Sequence, residues 1–416
     1  MNTTFSDQEI KKLRDETPGC TQVNHLNNAG AALMPKPVIA AIVNHIELEG
    51  QVGGYEAADV KKAVINEFYS VAAKMLNCNS RNIAFTANAT DGYTRALSAI
   101  PFEKGDVILT TNDDYISNQI HFLSLAKRFG VVIKHIKNAP DGGIDLDDLD
   151  AQLHQWKPKL LAITHIPTNS GLVQPVEEIA AIVKKHDTIY LLDACQSAGQ
   201  IPLDAVKLNC DFLSVTSRKF LRGARGAGFL YVSDKALDKG LEPLFIDMRG
   251  ADWVAKDEYV PRDGAIRFED WEFAYALLLG TKAAIEYYLA VGPERIWNRI
   301  QLLASYTRKQ LAKIPHLRLL DKGPQLCSLI TFTIPGLNPE QIKAELFKRN
   351  VNVVTSYRKF AVIDFDEKGV EWAIRVSPHY YNLETEIDLF VFELIQIIQH
   401  YRSSTFIPAD KTQIAN

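Results

Sequence analysis

No stretch of this 416-residue chain is apolar for long enough to span a membrane. Residues 1–16 are polar and charged and lack an apolar core, so no secretory signal is read there and a cytoplasmic protein is expected. A basic excess is also missing. Lys and Arg total 46 against 50 Asp and Glu, a net charge of −4, which argues against nucleic-acid or anionic-membrane partners. Cysteine is sparse: Cys20, Cys78, Cys195, Cys210 and Cys327 are odd in number and irregular in spacing, with no C-x-x-C pair. That pattern excludes a disulfide framework or a thiolate zinc site and fits reduced thiols. Repeats and low-complexity segments are absent as well.

What remains is an ordinary globular composition, 47% hydrophobic and 23% charged, long enough for two domains. Phe5 to Asp15 reads as a short helix capped by Ser6 with Glu9 three residues on. Helices are expected over Pro37–Leu48 and Glu56–Leu76, the second with an apolar face at Val60, Val64, Phe68, Val71 and Met75.

From residue 82, short apolar strands alternate with helices. Strands are read at Asn82–Thr86, Asp106–Thr110, Val131–Ile136, Leu160–His165, Ile189–Asp193, Phe212–Val215 and Gly228–Val232. Helices fall at Asp91–Ala99, Ser117–Phe129, Asp145–Gln155 and Val176–Lys185. The alternation predicts an α/β domain whose mostly parallel sheet is covered on both faces. An apolar helix over Glu272–Ala290 breaks at Gly292-Pro293, and an amphipathic helix, Glu294–Lys313, restarts behind it. Leu326–Ile334, Val351–Thr355 and Trp372–Val376, with helices Pro339–Arg349 and Glu384–His400, make a smaller α+β unit. The expected division is an N-terminal segment 1–17 packing with the small domain, a large domain 18–292 and a small domain 293–416, whose tail from Ser403 is polar and loose.

Ligands in such sheets sit beyond the carboxyl ends of the strands, so the residues following each strand carry the chemistry. Lys219 comes after the strand ending at Val215, among Ser214, Thr216, Ser217 and Arg218, and before a glycine-rich turn. A lysine in apolar surroundings is kept partly neutral and so nucleophilic; the plainer reading is a basic surface loop. The glycines Gly223, Gly226 and Gly228 precede a strand, the wrong context for a dinucleotide fingerprint. Asp193 ends an apolar strand, with Gln196 three residues on, and no carboxylate or histidine nearby has metal-ligand spacing; no metal site is expected. Ala89 and Thr90 open a helix after a strand, an anion site or an ordinary cap. Tyr115 could stack on a flat ring or belong to core or surface. Arg375, in an apolar strand, needs an anion, either a substrate carboxylate or a structural partner.

Together these candidates fit the parts of a pyridoxal 5′-phosphate site. Lys219 would bond the aldehyde, Asp193 would pair with the ring nitrogen, and Gln196 would meet the phenolic oxygen. Thr90, Thr216 and Arg218 would close on the phosphate.

The motifs Leu26-Asn27-Asn28-Ala29-Gly30, Ala89-Thr90-Asp91-Gly92, His165-Ile166-Pro167-Thr168-Asn169-Ser170-Gly171, Asp193-x-x-Gln196, Ser217-Arg218-Lys219, Arg267-Phe268-Glu269-x-Trp271-Glu272 and Ala373-Ile374-Arg375-Val376-Ser377 occur in that order. With them the chain resembles the fold-type I pyridoxal-phosphate enzymes of aminotransferase class V. The wording around Lys219 and Arg267 resembles the branch of isopenicillin N epimerase-like proteins, hercynylcysteine sulfoxide lyase and cystine lyase. The resemblance implies that Lys219 is the Schiff-base lysine and that Asp193, Gln196, Thr168 and Tyr115 surround the ring. It gives Ala89, Thr90, Thr216 and Arg218 to the phosphate. It gives Arg375, with Asn28 or Ala29, to the substrate carboxylate. It also implies a homodimer with the site at the interface, residues 267–272 reaching the neighbouring subunit's site. Cysteine desulfurases carry a nucleophilic cysteine on a mobile loop before the arginine strand; Val354 to Glu371 contains none. Cys195 and Cys327 read as small buried hydrophobes. The expected activity is therefore β-elimination from a cysteine-derived substrate, a C–S lyase, with transamination and epimerisation as alternatives and a non-catalytic member of the family as the rival. Arg222, Arg225, Tyr357, Arg358, His379 and Tyr380 are candidates for recognising a distal group of the substrate.

Overall fold

The computed structural model describes residues 4–404; the rest of the polar tail lies outside them. A seven-stranded sheet forms the centre. Its strands are β1 (Ile83–Thr86), β2 (Val107–Thr111), β3 (Val132–Ile136), β4 (Leu160–Thr164), β5 (Ile189–Asp193), β6 (Phe212–Thr216) and β7 (Gly228–Val232). They lie in the order β1-β7-β6-β5-β4-β2-β3. Only β7 runs against its neighbours, pairing antiparallel with both β1 and β6. Every residue of β4, β6 and β7 is buried, as continuous apolar strands covered on both faces must be.

The bounds of these seven strands match the sequence reading to within a residue, whereas the expected strand Leu326–Ile334 shortens to Ile330–Thr333 and Val351–Thr355 divides into Val351–Asn352 and Val354–Tyr357. The helices differ in more. The helix after β1 starts at Ala89, not Asp91, because extended Asn88 caps it and accepts from the Asp91 N–H at 3.0 Å. Thr90 is thus inside the first turn and is not the cap. On the helix Gly54–Leu76, Phe68 and Met75 are buried as expected, but Val60 and Val64 are exposed, at 68% and 37%. The inward face of that helix combines Ile65, Phe68, Met75 and Leu76 with the small Ala57, Ala72 and Ala73.

Gly292, at φ +100°, separates the helix Tyr275–Val291 from Pro293–Leu311, at the boundary proposed from sequence. Beyond it, Arg318–Leu319, Ile330–Thr333, Trp372–Val376 and Val354–Tyr357 form an antiparallel sheet in that spatial order. Phe332, Ile374, Phe390 and Leu394 share its core with Leu26 from the other end of the chain. Residues 24–25 pair with Val351–Asn352, and Asn27 bridges to Ser377. The N-terminal helix Asp7–Asp15 has the expected Ser6–Glu9 capping box, and its Arg14 bonds the Tyr381 carbonyl and Glu386. Among the described residues no helix is long and apolar enough to cross a membrane.

Candidate active site

The ends of β1, β4, β5 and β6 converge on a cavity of about 250 Å³. The turn after β6 is closed by its own bonds: Ser217 Oγ donates to the Ala224 and Ala227 carbonyls, at 2.7 and 3.0 Å, and the Gly223 N–H donates to the Ser217 carbonyl. This rigid turn presents Lys219 to the cavity, 7% exposed. Loss of solvent pushes its ammonium down to about 8; the Arg218 and Arg375 guanidiniums push the same way, and Asp193 opposes them. Its Nζ lies 5.8 Å from the centre of the Tyr115 ring.

Asp193, at the end of β5, is buried and accepts from the Cys195 N–H at 2.9 Å and from Asn118 Nδ2 at 3.2 Å. The same Asn118 amide donates to Asp114 at 3.0 Å. Asp114 also accepts from Thr110, the Tyr115 N–H and the Thr164 hydroxyl. Burial pushes Asp114 up to about 6. Sequence reading named Tyr115 here but missed Asp114 and Asn118. The signal available was an Asp just before the helix start with Asn118 in the first turn, close enough in sequence for the amide to reach back to it.

Opposite, Ala89 and Thr90 occupy the first turn of their helix, whose N–H groups are unpaired within it. Thr216 and Arg218 line the same end. A Cβ at Gly228 would fall 2.4 Å from the Val215 carbonyl and 3.0 Å from the Ala89 N, so only glycine lets β7 pass this close to the helix start. Arg218 Nη1 donates to the Gly30 carbonyl.

Arg375 stands on the small-domain strand, 6% exposed, and donates to the Thr168 carbonyl at 3.3 Å. Its Nε is buried with no hydrogen-bond partner among the described residues. Burial, then Arg218, push this guanidinium down to about 10. Gln196 is similar: Nε2 donates to the Ala29 carbonyl at 3.2 Å, while Oε1 is buried without a partner. Thr168 lines the cavity. These unpaired groups, the neutral-leaning lysine, the lone carboxylate and the anion-ready helix start fit a phosphorylated aromatic aldehyde and an amino-acid carboxylate.

Asn28 and Ala29 do not line the cavity. The Asn28 amide donates to the Ser377 and His25 carbonyls, and its Oδ1 accepts from Tyr381. Ala29 donates its N–H to Ser377 Oγ. The pair links the arginine strand to Gln196. Several distal-group candidates also have other uses. Arg222, 2% exposed, donates to the Leu33 carbonyl, the Tyr380 hydroxyl and the Thr17 hydroxyl, and it stacks on Tyr381 at 4.5 Å. His379 spends both ring nitrogens on the Phe220 carbonyl and the Tyr380 N–H. Tyr357 bonds Glu340, and Arg358 pairs with Asp366. Arg225 alone of that set lines the cavity; it is exposed at the mouth.

Arg267 and Glu269 are buried. Glu269 is held by the Phe85 N–H, Tyr69 and Arg249, while Asp270, Trp271 and Glu272 face outward. Between residues 354 and 371 lies a short helix, Val362–Lys368. Its Glu367 bonds Asn112 and Asn138 of the large domain, at 2.9 and 3.1 Å, and its Asp364 pairs with Lys322, which also holds Asp113.

Residues 24–390 match the family model described as aminotransferase class-V. A probable cysteine desulfurase of Pyrococcus abyssi is 28% identical over 94% of this chain and 98% of its own. A probable hercynylcysteine sulfoxide lyase of Mycobacterium tuberculosis is 24% identical over 89% of each. The solved cysteine desulfurase of Thermococcus onnurineus superposes with a TM-score of 0.86, at 25% identity, over 94% of this chain and 98% of that one.

Proposed function

The chain belongs to the aminotransferase class-V family of pyridoxal 5′-phosphate enzymes, and from that premise we propose that it cleaves the Cβ–S bond of a cysteine-derived amino acid. The observation that carries C–S lysis over persulfide-forming desulfuration is the state of its thiols. The segment before the arginine strand holds a pinned helix and no cysteine. Burial pushes Cys20 up to about 11 and Cys78 and Cys327 up to about 12, and it raises Cys195 and Cys210 well above the usual thiol range. None is poised as the thiolate such chemistry needs.

When bound, the cofactor supplies an aldehyde and a ring that takes up the electron pair left at Cα. The chain's own residues divide the remaining work. Arg375, whose buried Nε has no partner among the described residues, would take the substrate carboxylate. Lys219, whose ammonium burial pushes down to about 8, would take the Cα proton. Asp193, oriented by Asn118 and the Cys195 N–H, provides the negative charge that keeps a ring nitrogen protonated. Ala89, Thr90, Thr216 and Arg218 would hold the phosphate, Gln196 and Thr168 would meet the phenolic oxygen, and Tyr115 would stack on the ring. In balance, R–S–CH2–CH(NH3+)–COO− and water give pyruvate, ammonium and R–SH.

A homodimer belongs to the same reading. Phe245, Met248 and Trp253 are 84%, 62% and 81% exposed, and Tyr55 and Val60 are 74% and 68% exposed. Such large apolar side chains in water favour a partner surface. The test of function is a panel of cysteine conjugates and ordinary amino acids scored for pyruvate, keto acid and inverted stereochemistry. Pyruvate with free thiol is expected. Keto acid that appears only with an amino acceptor would overturn lysis in favour of transamination.

A further inference from the structure

Away from the cavity, three side chains meet that the proposed reaction does not use. Asp150 and His154 stand one turn apart on the helix Leu146–Trp156. His186 follows the helix Val176–Val183, on the short link into β5. Asp150 Oδ1 lies 3.6 Å from His154 Nδ1 and 3.5 Å from His186 Nε2. The two imidazoles meet edge to face, their centres 4.5 Å apart. One ligand atom from each residue falls within a 4.8 Å group.

Hydrogen bonding leaves this arrangement unexplained. Both spacings are too long for it. Asp150 Oδ1 and His186 Nε2 are shielded from solvent, and neither has a hydrogen-bond partner among the described residues. The two atoms face each other at ion-pair distance without a hydrogen bond, so each keeps bonding capacity that an ion between them would use. The 3.5 Å between Asp150 Oδ1 and His186 Nε2 suits two donors that share a cation. With metal–ligand bonds of about 2.0–2.1 Å, tetrahedral donors stand about 3.4 Å apart. His154 Nδ1 donates to the Asp150 carbonyl at 2.9 Å, which fixes the ring and leaves Nε2 as the nitrogen with a lone pair for an ion.

We propose that Asp150, His154 and His186 form a binding site for one divalent transition-metal ion of the zinc type. Two imidazoles and a carboxylate are a common zinc donor set, and water completes the coordination of an open surface site. The ion would join the helix Leu146–Trp156 to the link that enters β5, the strand ending in Asp193. Its effect is to brace the scaffold, with no part in the reaction.

The experiment uses untagged protein carrying its cofactor, treated with chelator, desalted and titrated with zinc chloride by calorimetry, with melting temperature and cofactor absorbance followed in parallel. One ion per chain, a higher melting temperature and an unchanged cofactor spectrum are expected. His186→Gln and, on the exposed ring, His154→Gln should each abolish that saturable binding and the thermal shift while leaving turnover as it was. Absence of binding, binding of undiminished strength in His154→Gln, or a zinc-induced change in the cofactor band would each overturn the site.

Discussion

The ammonium of Lys219 lies 5.8 Å from the ring centre of Tyr115, with the carboxylate of Asp193 lining the same cavity. A nucleophile, a flat apolar face and an anion at one site are what an aromatic aldehyde needs. Lys219→Ala should lower turnover by at least about a thousandfold, the upper range for loss of a general base. Borohydride reduction followed by peptide mapping should label Lys219 in the parent protein. A parent protein with no label there would defeat the assignment.

The depressed lysine makes a pH prediction for cofactor-free protein. Attack on an aldehyde needs the neutral amine, so pyridoxal-phosphate uptake should speed up as pH rises, with a midpoint near 8 in place of the usual lysine range. Stopped-flow absorbance measures this directly. A flat profile between pH 7 and 9 would contradict it.

Asn118 joins two buried carboxylates through one amide. Asn118→Ala should leave Asp193 less well oriented and cost about 1–3 kcal/mol, roughly 5- to 150-fold in kcat/KM. Comparing cofactor affinity with kcat separates poor binding from poor proton transfer; wild-type values of both would sink the bridge.

Arg375→Lys should raise KM for carboxylate-bearing substrates by about 10- to 100-fold, since an ammonium loses the two-point geometry. Binding of decarboxylated amines should hardly change. An equal loss for both classes would mean that Arg375 supports the fold and not the carboxylate.

The cluster of Lys322, Asp113 and Asp364 should sense pH. Asp113 is raised to about 7 by burial and by Asp364, with Lys322 opposing. The folded protein holds this proton more tightly than the unfolded chain, so Asp113 lowers stability as pH rises from the ordinary carboxylate range through about 7. Denaturant midpoints across pH 5–8 should show that decline, and Asp113→Asn should flatten it.

Much of this was readable from residue order alone. The central strands announced themselves because both faces are buried, leaving continuous apolar runs that end in Asp193 and Thr216. The residues converging on the cavity followed from the rule of strand ends. Other features depended on contacts distant in sequence. Arg222 looked like a substrate arginine, yet its φ of +65° and its bonds to Thr17, Leu33 and Tyr380 make it a structural post. The Asn28 side chain is occupied by partners some 350 positions away. The exposure of Val60 and Val64 was hidden because periodicity marks an apolar face without saying what covers it.

The helix Val362–Lys368 is tied across both domains by Glu367 and Asp364. Where cysteine desulfurases carry a mobile arm, this chain has a fixed wall. An arm can ferry sulfur to a waiting acceptor, but a wall cannot. A thiol released in the cavity would therefore leave as a free product past Arg225, which lines the opening.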